Sequence, residues 1–170
     1  MNVNQLLKAN PKKEIIMQAR LDFTKASPEA IQAVLGLENY VAKQSGLDPH
    51  LIHLLKLRAS QINGCAYCVD MHSKEARRSG LSEQWINLIS VWRESPVFDD
   101  RERAVLEWTE ALTNVAGTGA PDTAFEPLRD YFSEKEIMDL TIAISTINVW
   151  NRIAVGFRNQ HPIDRVRKAS

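Results

Sequence analysis

The chain has 170 residues, 44% of them hydrophobic, which is the size of one domain and enough apolar mass for a substantial core. Lys plus Arg and Asp plus Glu both count 21, so the formal net charge is zero and the electrostatic footprint of a nucleic-acid or anionic-membrane binder is excluded. Only two cysteines are present.

Residues 1–20 are polar and include Pro11-Lys12-Lys13-Glu14. No apolar run there is long enough for a signal peptide, so a cytoplasmic location is expected. Residues 1–20 read as an N-terminal extension, and a short helix is expected over Glu14 to Phe23. Ser27-Pro28-Glu29 combines a capping serine, a proline at the first helical position and an early acid. Ile31, Val34, Leu35, Glu38 and Val41 then keep helical spacing to Gly46. Asp48-Pro49 repeats the start signal, and Leu51, Leu54, Leu55, Leu57 and Ala59 leave so little polar face that this helix is expected near the centre of the fold.

Asn63-Gly64 marks a turn, and Cys65 starts the next helix, which Gly80 closes. Ser82 caps a helix with Trp85, Leu88, Ile89 and Trp92 on one face, broken at Ser95-Pro96. Asp99-Asp100 opens another, whose apolar stripe is Val105, Trp108, Leu112 and Val115; Glu107 and Glu110 fall off that stripe and are expected to be solvated. A loop over Gly117 to Pro121 and a short helix from about Thr123 to Tyr131 follow. Ser133-Glu134-Lys135-Glu136 is a capping box for a long final helix from about Glu134 to Phe157, and Asn159 to Ser170 reads as a tail. Asp139, Ser145, Asn148, Asn151 and Arg152 interrupt its apolar run, so it reads as a buried helix and not as a membrane span. The periodicity is helical nearly throughout, and an all-α single domain is expected.

The chemistry concentrates in Asn63-Gly64-Cys65-Ala66-Tyr67-Cys68-Val69-Asp70-Met71-His72. Cys65, Cys68 and His72 stand at i, i+3 and i+7, one stripe of an α-helix. Both sulfurs fall in the first turn, where free backbone N–H groups and the helix dipole favour a thiolate. In a reducing compartment such a pair is better explained as redox-active or metal-binding than as a static disulfide. His72 lies one turn after Cys68 and can exchange a proton with it. His53, on the preceding helix, is either a satisfied core histidine or a group brought to the sulfurs by antiparallel packing; Arg58, Ser60 and Gln61 lie between it and the turn and can orient the pocket. Cys65, Cys68, His72 and His53 would also make a zinc set, but the spacing lacks a second knuckle, so no metal and no cofactor is expected.

The run from Lys56 through His72, with Glu102-Arg103-Ala104, Thr109 to Thr113, Asp139 to Ile144 and Trp150-Asn151-Arg152, resembles the AhpD-like alkylhydroperoxidases of the carboxymuconolactone decarboxylase family. The resemblance covers about residues 21–158. It implies an all-helical fold assembling into homo-oligomers, trimers or hexamers, and an antioxidant thiol peroxidase. By position, Cys68 is then the peroxidatic cysteine, Cys65 the resolving one and His72 the relay histidine. The family's relay glutamate, twelve residues before the first cysteine, is replaced by His53. The implied partners are a hydroperoxide substrate and an external dithiol or thioredoxin-like reductant. Two alternatives stay open: a redox-sensing or zinc-holding oligomer without turnover, and a lactone decarboxylase of the same fold, whose chemistry does not need the paired cysteines.

Overall fold

A computed structural model describes residues 18–164, and within them every regular element is helical. Helix α1 is a single turn, Phe23–Ala26; α2 spans Pro28–Lys43; α3 spans Pro49–Ile62; α4, the cysteine helix, spans Ala66–Arg78. Helix α5 (Glu83–Leu88) passes into a 3₁₀ segment at Ile89–Glu94, and α6 spans Asp100–Thr113. The single turns α7 (Val115–Thr118) and α8 (Asp122–Phe125) lead through a second 3₁₀ segment, Glu126–Asp130, to the long α9, Glu134–Gly156.

Helix α3 is the hub. It packs against α6, α4 and α9, and α9 in turn closes on α2 and α6. The cause is its composition: Leu54, Leu55, Leu57 and Ala59 are all fully buried, and only a narrow, partly covered face is left toward solvent. Each such leucine contributes about 1.5–3 kcal/mol of transfer free energy. Side-chain caps fix where helices begin. Asp48 accepts from the His50 N–H at 2.9 Å, and Ser82 from Trp85 N–H at 3.1 Å. Asp99 and Glu102 exchange bonds as a full capping box at the head of α6, as do Ser133 and Glu136 at the head of α9.

Four expectations need correction. Residues 14–17 of the helix expected over Glu14 to Phe23 lie outside the described residues, and 18–22 are irregular; the helical turn begins at Phe23. The helix capped by Ser82 does not run unbroken, because Val91 adopts φ −125° and ψ 28° and leaves α geometry. The stretch expected as one helix from Thr123 to Tyr131 is two pieces. Pro127, at the start of the 3₁₀ segment, has no N–H with which to continue α-helical bonding. Val115 leaves the α6 stripe and is 49% exposed, since α6 ends at Thr113 and the chain turns at Asn114.

Candidate functional site

The site is built at the reversal between α3 and α4. Asn63 ends α3, its side-chain amide donating to Ala59 O at 3.0 Å, and Gly64 takes a left-handed φ of 63°, open to glycine without steric cost. The Cys65 N–H then returns to Ser60 O at 3.0 Å. This places Cys65 as the N-cap of α4, with its Sγ accepting the Cys68 N–H at 3.3 Å. Cys65 and Cys68 are joined as a disulfide, their Cα atoms 5.4 Å apart. Both are buried, at 1% and 2% exposure.

The turn is anchored from α9. Asn63 Nδ2 donates to Asn148 Oδ1 and Asn151 Oδ1, each at 2.9 Å, while Asn151 Nδ2 donates to Ser60 Oγ at 3.1 Å and Asn148 Nδ2 to Thr113 Oγ1 at 3.1 Å. Of the polar residues interrupting α9, Asn148 and Asn151 are therefore the buried partners that hold the cysteine turn. Arg152 adds bonds to Asn148 from the exposed side.

One turn beyond Cys68, His72 is buried. Its Nδ1 faces Glu75 Oε2 at 2.8 Å, and its Nε2 is buried without a hydrogen-bond partner. A carboxylate only accepts, so Nδ1 carries the hydrogen and, in the neutral ring, Nε2 carries the lone pair. The His72 bond holds the Glu75 carboxyl below its ordinary range despite the opposing effect of burial. Cys68, His72 and Glu75 line a cavity of about 310 Å³. Its apolar walls include Phe23 from α1, Leu35 from α2, Met71 from α4, and Trp150, Ile153 and Ala154 from α9. Lys56 and Glu38, ion-paired with each other, complete it. Cys68 and not Cys65 is in the wall.

His53 is half-buried and is not part of the wall of this cavity, its Nε2 3.0 Å from Ser79 Oγ. Burial lowers its pKa, and the nearby Glu75 charge opposes that effect. It does not reach the sulfurs, and the Cys65, Cys68, His72, His53 set is not gathered; among the described residues no group of three or more His, Cys, Asp or Glu is arranged to hold a metal ion. Arg58 does not orient the pocket either. Its Nε donates to Glu110 Oε1 at 2.7 Å, its Nη1 to Gln61 Oε1 at 3.4 Å. Glu110 also accepts from Trp92 Nε1 and Arg93 Nη1, each at 2.7 Å. Its side chain is only 17% exposed, so the expectation of a solvated Glu110 is corrected: on α6 it is the acceptor on which three neighbouring donors converge. Glu107, 39% exposed and paired with Arg93, is closer to the expected picture.

Glu75 is the site residue that the sequence reading missed. It sits in the run Lys74-Glu75-Ala76-Arg77-Arg78, which reads as a solvated helix end. The available signal was its spacing, three residues after His72 on the same helix.

The model of the carboxymuconolactone decarboxylase family matches residues 28–111. The uncharacterized protein YdfG of Bacillus subtilis (strain 168) is 35% identical over 144 residues, covering 85% of this chain and 97% of YdfG. The chain belongs to the carboxymuconolactone decarboxylase family. Among solved structures, a protein of unknown function from Agrobacterium tumefaciens, provisionally named an antioxidant defence protein AhpD, is 64% identical with a TM-score of 0.84, covering 86% of this chain and all of that one. The debrominase Bmp8 in its apo form shares the fold at a TM-score of 0.74 but only 20% of residues, over 82% of this chain and 74% of its own. In this member of the carboxymuconolactone decarboxylase family, the cysteine pair thus heads α4 and the cavity opens on its second sulfur. No helix among the described residues is long and apolar enough to cross a membrane.

Proposed function

We propose that the chain is a cytoplasmic, thiol-dependent reductase of organic hydroperoxides, serving antioxidant defence. The observation that carries this reading is the sharing of one largely apolar cavity wall by Cys68 and His72, with the resolving sulfur of Cys65 bonded directly behind. In the reduced protein, the Cys68 thiol gives its proton to His72 Nε2. The thiolate attacks the terminal oxygen of the hydroperoxide; an S–O bond forms, the O–O bond breaks, and the alkoxide leaves with the proton from His72 as an alcohol. Cys68 is now a sulfenic acid, oxidised by two electrons. Cys65 attacks its sulfur, the S–S bond forms and water departs. An external dithiol or a thioredoxin-like protein returns the two electrons. No step requires a metal or an organic cofactor.

Within this reading His53 is the outer member of the relay. Its burial favours the neutral ring, and its bond to exposed Ser79 offers the proton a way to solvent. Homo-oligomers, trimers or hexamers, belong to the same reading. Met138 and Val149 are exposed at 57% and 37%, and lie eleven residues apart on one face of α9. A second copy packed there would cover both.

The test of the chemistry is consumption of cumene hydroperoxide with dithiothreitol by wild type, Cys65→Ser and Cys68→Ser. Loss of more than about 100-fold in Cys68→Ser is expected. With dithiothreitol removed, prereduced Cys65→Ser is expected to consume one equivalent of hydroperoxide and stop at the Cys68 sulfenic acid. Unchanged steady-state consumption in both variants would remove the proposal. For assembly, sedimentation of Met138→Glu/Val149→Glu at micromolar concentration is expected to give a smaller species than wild type.

A further inference from the structure

Several titratable groups surround the inner face of α4. His72 and Glu75 come from α4 itself, as does Tyr67 in the cavity wall. His53 and Lys56 come from α3, Lys56 held by Glu38 of α2. Helix α9 faces the same cavity with Trp150, Ile153 and Ala154 and adds no charge to its lining. Of all these groups only Glu75 touches the His72 ring, and it touches the nitrogen that points away from the unpartnered one.

We infer that Glu75 is the positioning residue of the Cys68–His72 pair, taking from within the cysteine helix the part that the resemblance gives to a carboxylate on the preceding helix. The inference rests on the reading of Cys68 as the reacting thiol. Three features argue for it. The bond from Nδ1 to Glu75 selects the tautomer whose lone pair is on the unpartnered Nε2, the neutral form able to take a proton there. The Glu75 side chain is 40% exposed while the His72 side chain is 5% exposed, so the carboxylate stays hydrated and ionised yet reaches into a buried ring. It lies on the same rigid helix as Cys68 and His72, three residues beyond His72, so no loop has to close for the three groups to align. Position 53 is then released from carrying a carboxylate. A second acid beside Glu75 would repel it, and an imidazole does not.

When Cys68 transfers its proton to Nε2, the resulting imidazolium is flanked by the thiolate on one side and by Glu75 on the other. Removing the Glu75 charge therefore disfavours the ion pair and raises the pH at which the thiolate forms. A carboxylate that merely sat near the thiol would do the opposite, since its removal would ease ionisation.

The sign of the change separates the two cases. The full-length chain carrying Cys65→Ser, reduced with a phosphine, is alkylated with iodoacetamide across pH 5–10 with and without Glu75→Gln. Glutamine keeps a hydrogen-bond acceptor and removes only the charge. Glu75→Gln is expected to slow alkylation of Cys68 at pH 7 about tenfold and to raise the midpoint of the rate profile by about one unit. Glu83→Gln, which removes an exposed carboxylate paired with Arg77, should leave the midpoint where it was. A midpoint that stays or falls in Glu75→Gln, or rises equally in Glu83→Gln, overturns the inference. The result is independent of peroxide turnover. If Cys68→Ser leaves peroxide consumption intact while Glu75→Gln still raises the midpoint, the peroxidase reading fails and the positioning role stands.

Discussion

Gly64, at the site, and Glu110, away from it, show how much a single residue can hold in place. The left-handed φ of 63° at Gly64 lets the chain reverse from α3 into α4 within two residues, and a Cβ there would meet no atom within 4 Å. The cost of Gly64→Ala is therefore conformational strain alone, about 1 kcal/mol. Urea denaturation at pH 7 should show that loss with an unchanged slope. Glu110 is different, because its cost is electrostatic. Burial pushes its carboxyl up, but the hydrogen bonds from Trp92 and Arg93 and the charge of Arg58 outweigh burial and hold it below the ordinary range. Glu110→Gln keeps the shape and leaves Arg58, itself 16% exposed, without its counter-charge. A loss of about 2 kcal/mol is expected by the same measurement. At this scale legibility depended on whether a residue's partner was close in sequence. Cys65, Cys68 and His72 declare themselves by spacing along one helix. Glu110 does not, since its donors stand on α3 and on the 3₁₀ segment, 52 and 17–18 residues away.

Among the elements, α9 carries two functions that its sequence kept apart. Its start was legible from the capping box at Ser133 and its length from the apolar periodicity. What Asn148 and Asn151 contact was not, because a buried amide announces only that a partner exists. The structure supplies that partner in Asn63, at the root of the cysteine turn. Asn151→Leu would take from the Ser60 hydroxyl its amide donor and from the Asn63 side-chain N–H one of its acceptors, costing about 2–3 kcal/mol. It should also loosen the turn locally. The Cys65 amide, bonded to Ser60 O in the wild type, is expected to exchange with deuterium faster in Asn151→Leu than the global loss of stability explains. The break at Val91 escaped sequence reading for a different reason, whereas Pro127 was visible as a breaker. Val91 has no breaker chemistry of its own; it is 52% exposed and leaves helix geometry between Ile89 and Trp92, which are both buried.

Over the whole molecule the charges cancel in sum but are not neutral toward pH. The carboxyls of Glu75, Glu83, Glu110 and Glu136 all sit below their ordinary value of 4.5. Groups with depressed folded values stabilise the fold above the unfolded value and lose that contribution as pH falls through the folded one. His53, lowered from 6.5 by burial, acts in the same direction, because the unfolded chain takes up its proton first. The thermal midpoint is therefore expected to be flat between about pH 7 and 9, to decline below about 6.5 and to fall steeply below about 4.5. His53→Gln should remove the first decline and leave the second, as read by calorimetry across that range.

The N-terminal side of the described chain is fastened to the end of α9. The Arg20 N–H donates to Phe157 O at 3.0 Å and its guanidinium to Gly156 O at 2.9 Å, while Phe23 and Phe157 stack at 6.3 Å. Phe23 is also part of the cavity wall. These contacts join points more than 130 residues apart along the chain. In kinetic terms they close the largest loop of the described chain, whose closure entropy is recovered only once α9 has docked on α3. The cavity is then expected to be completed late in folding. Phe23→Ala is expected to speed unfolding and leave the refolding rate unchanged in stopped-flow denaturant jumps, a φ-value near zero at the mouth of the site.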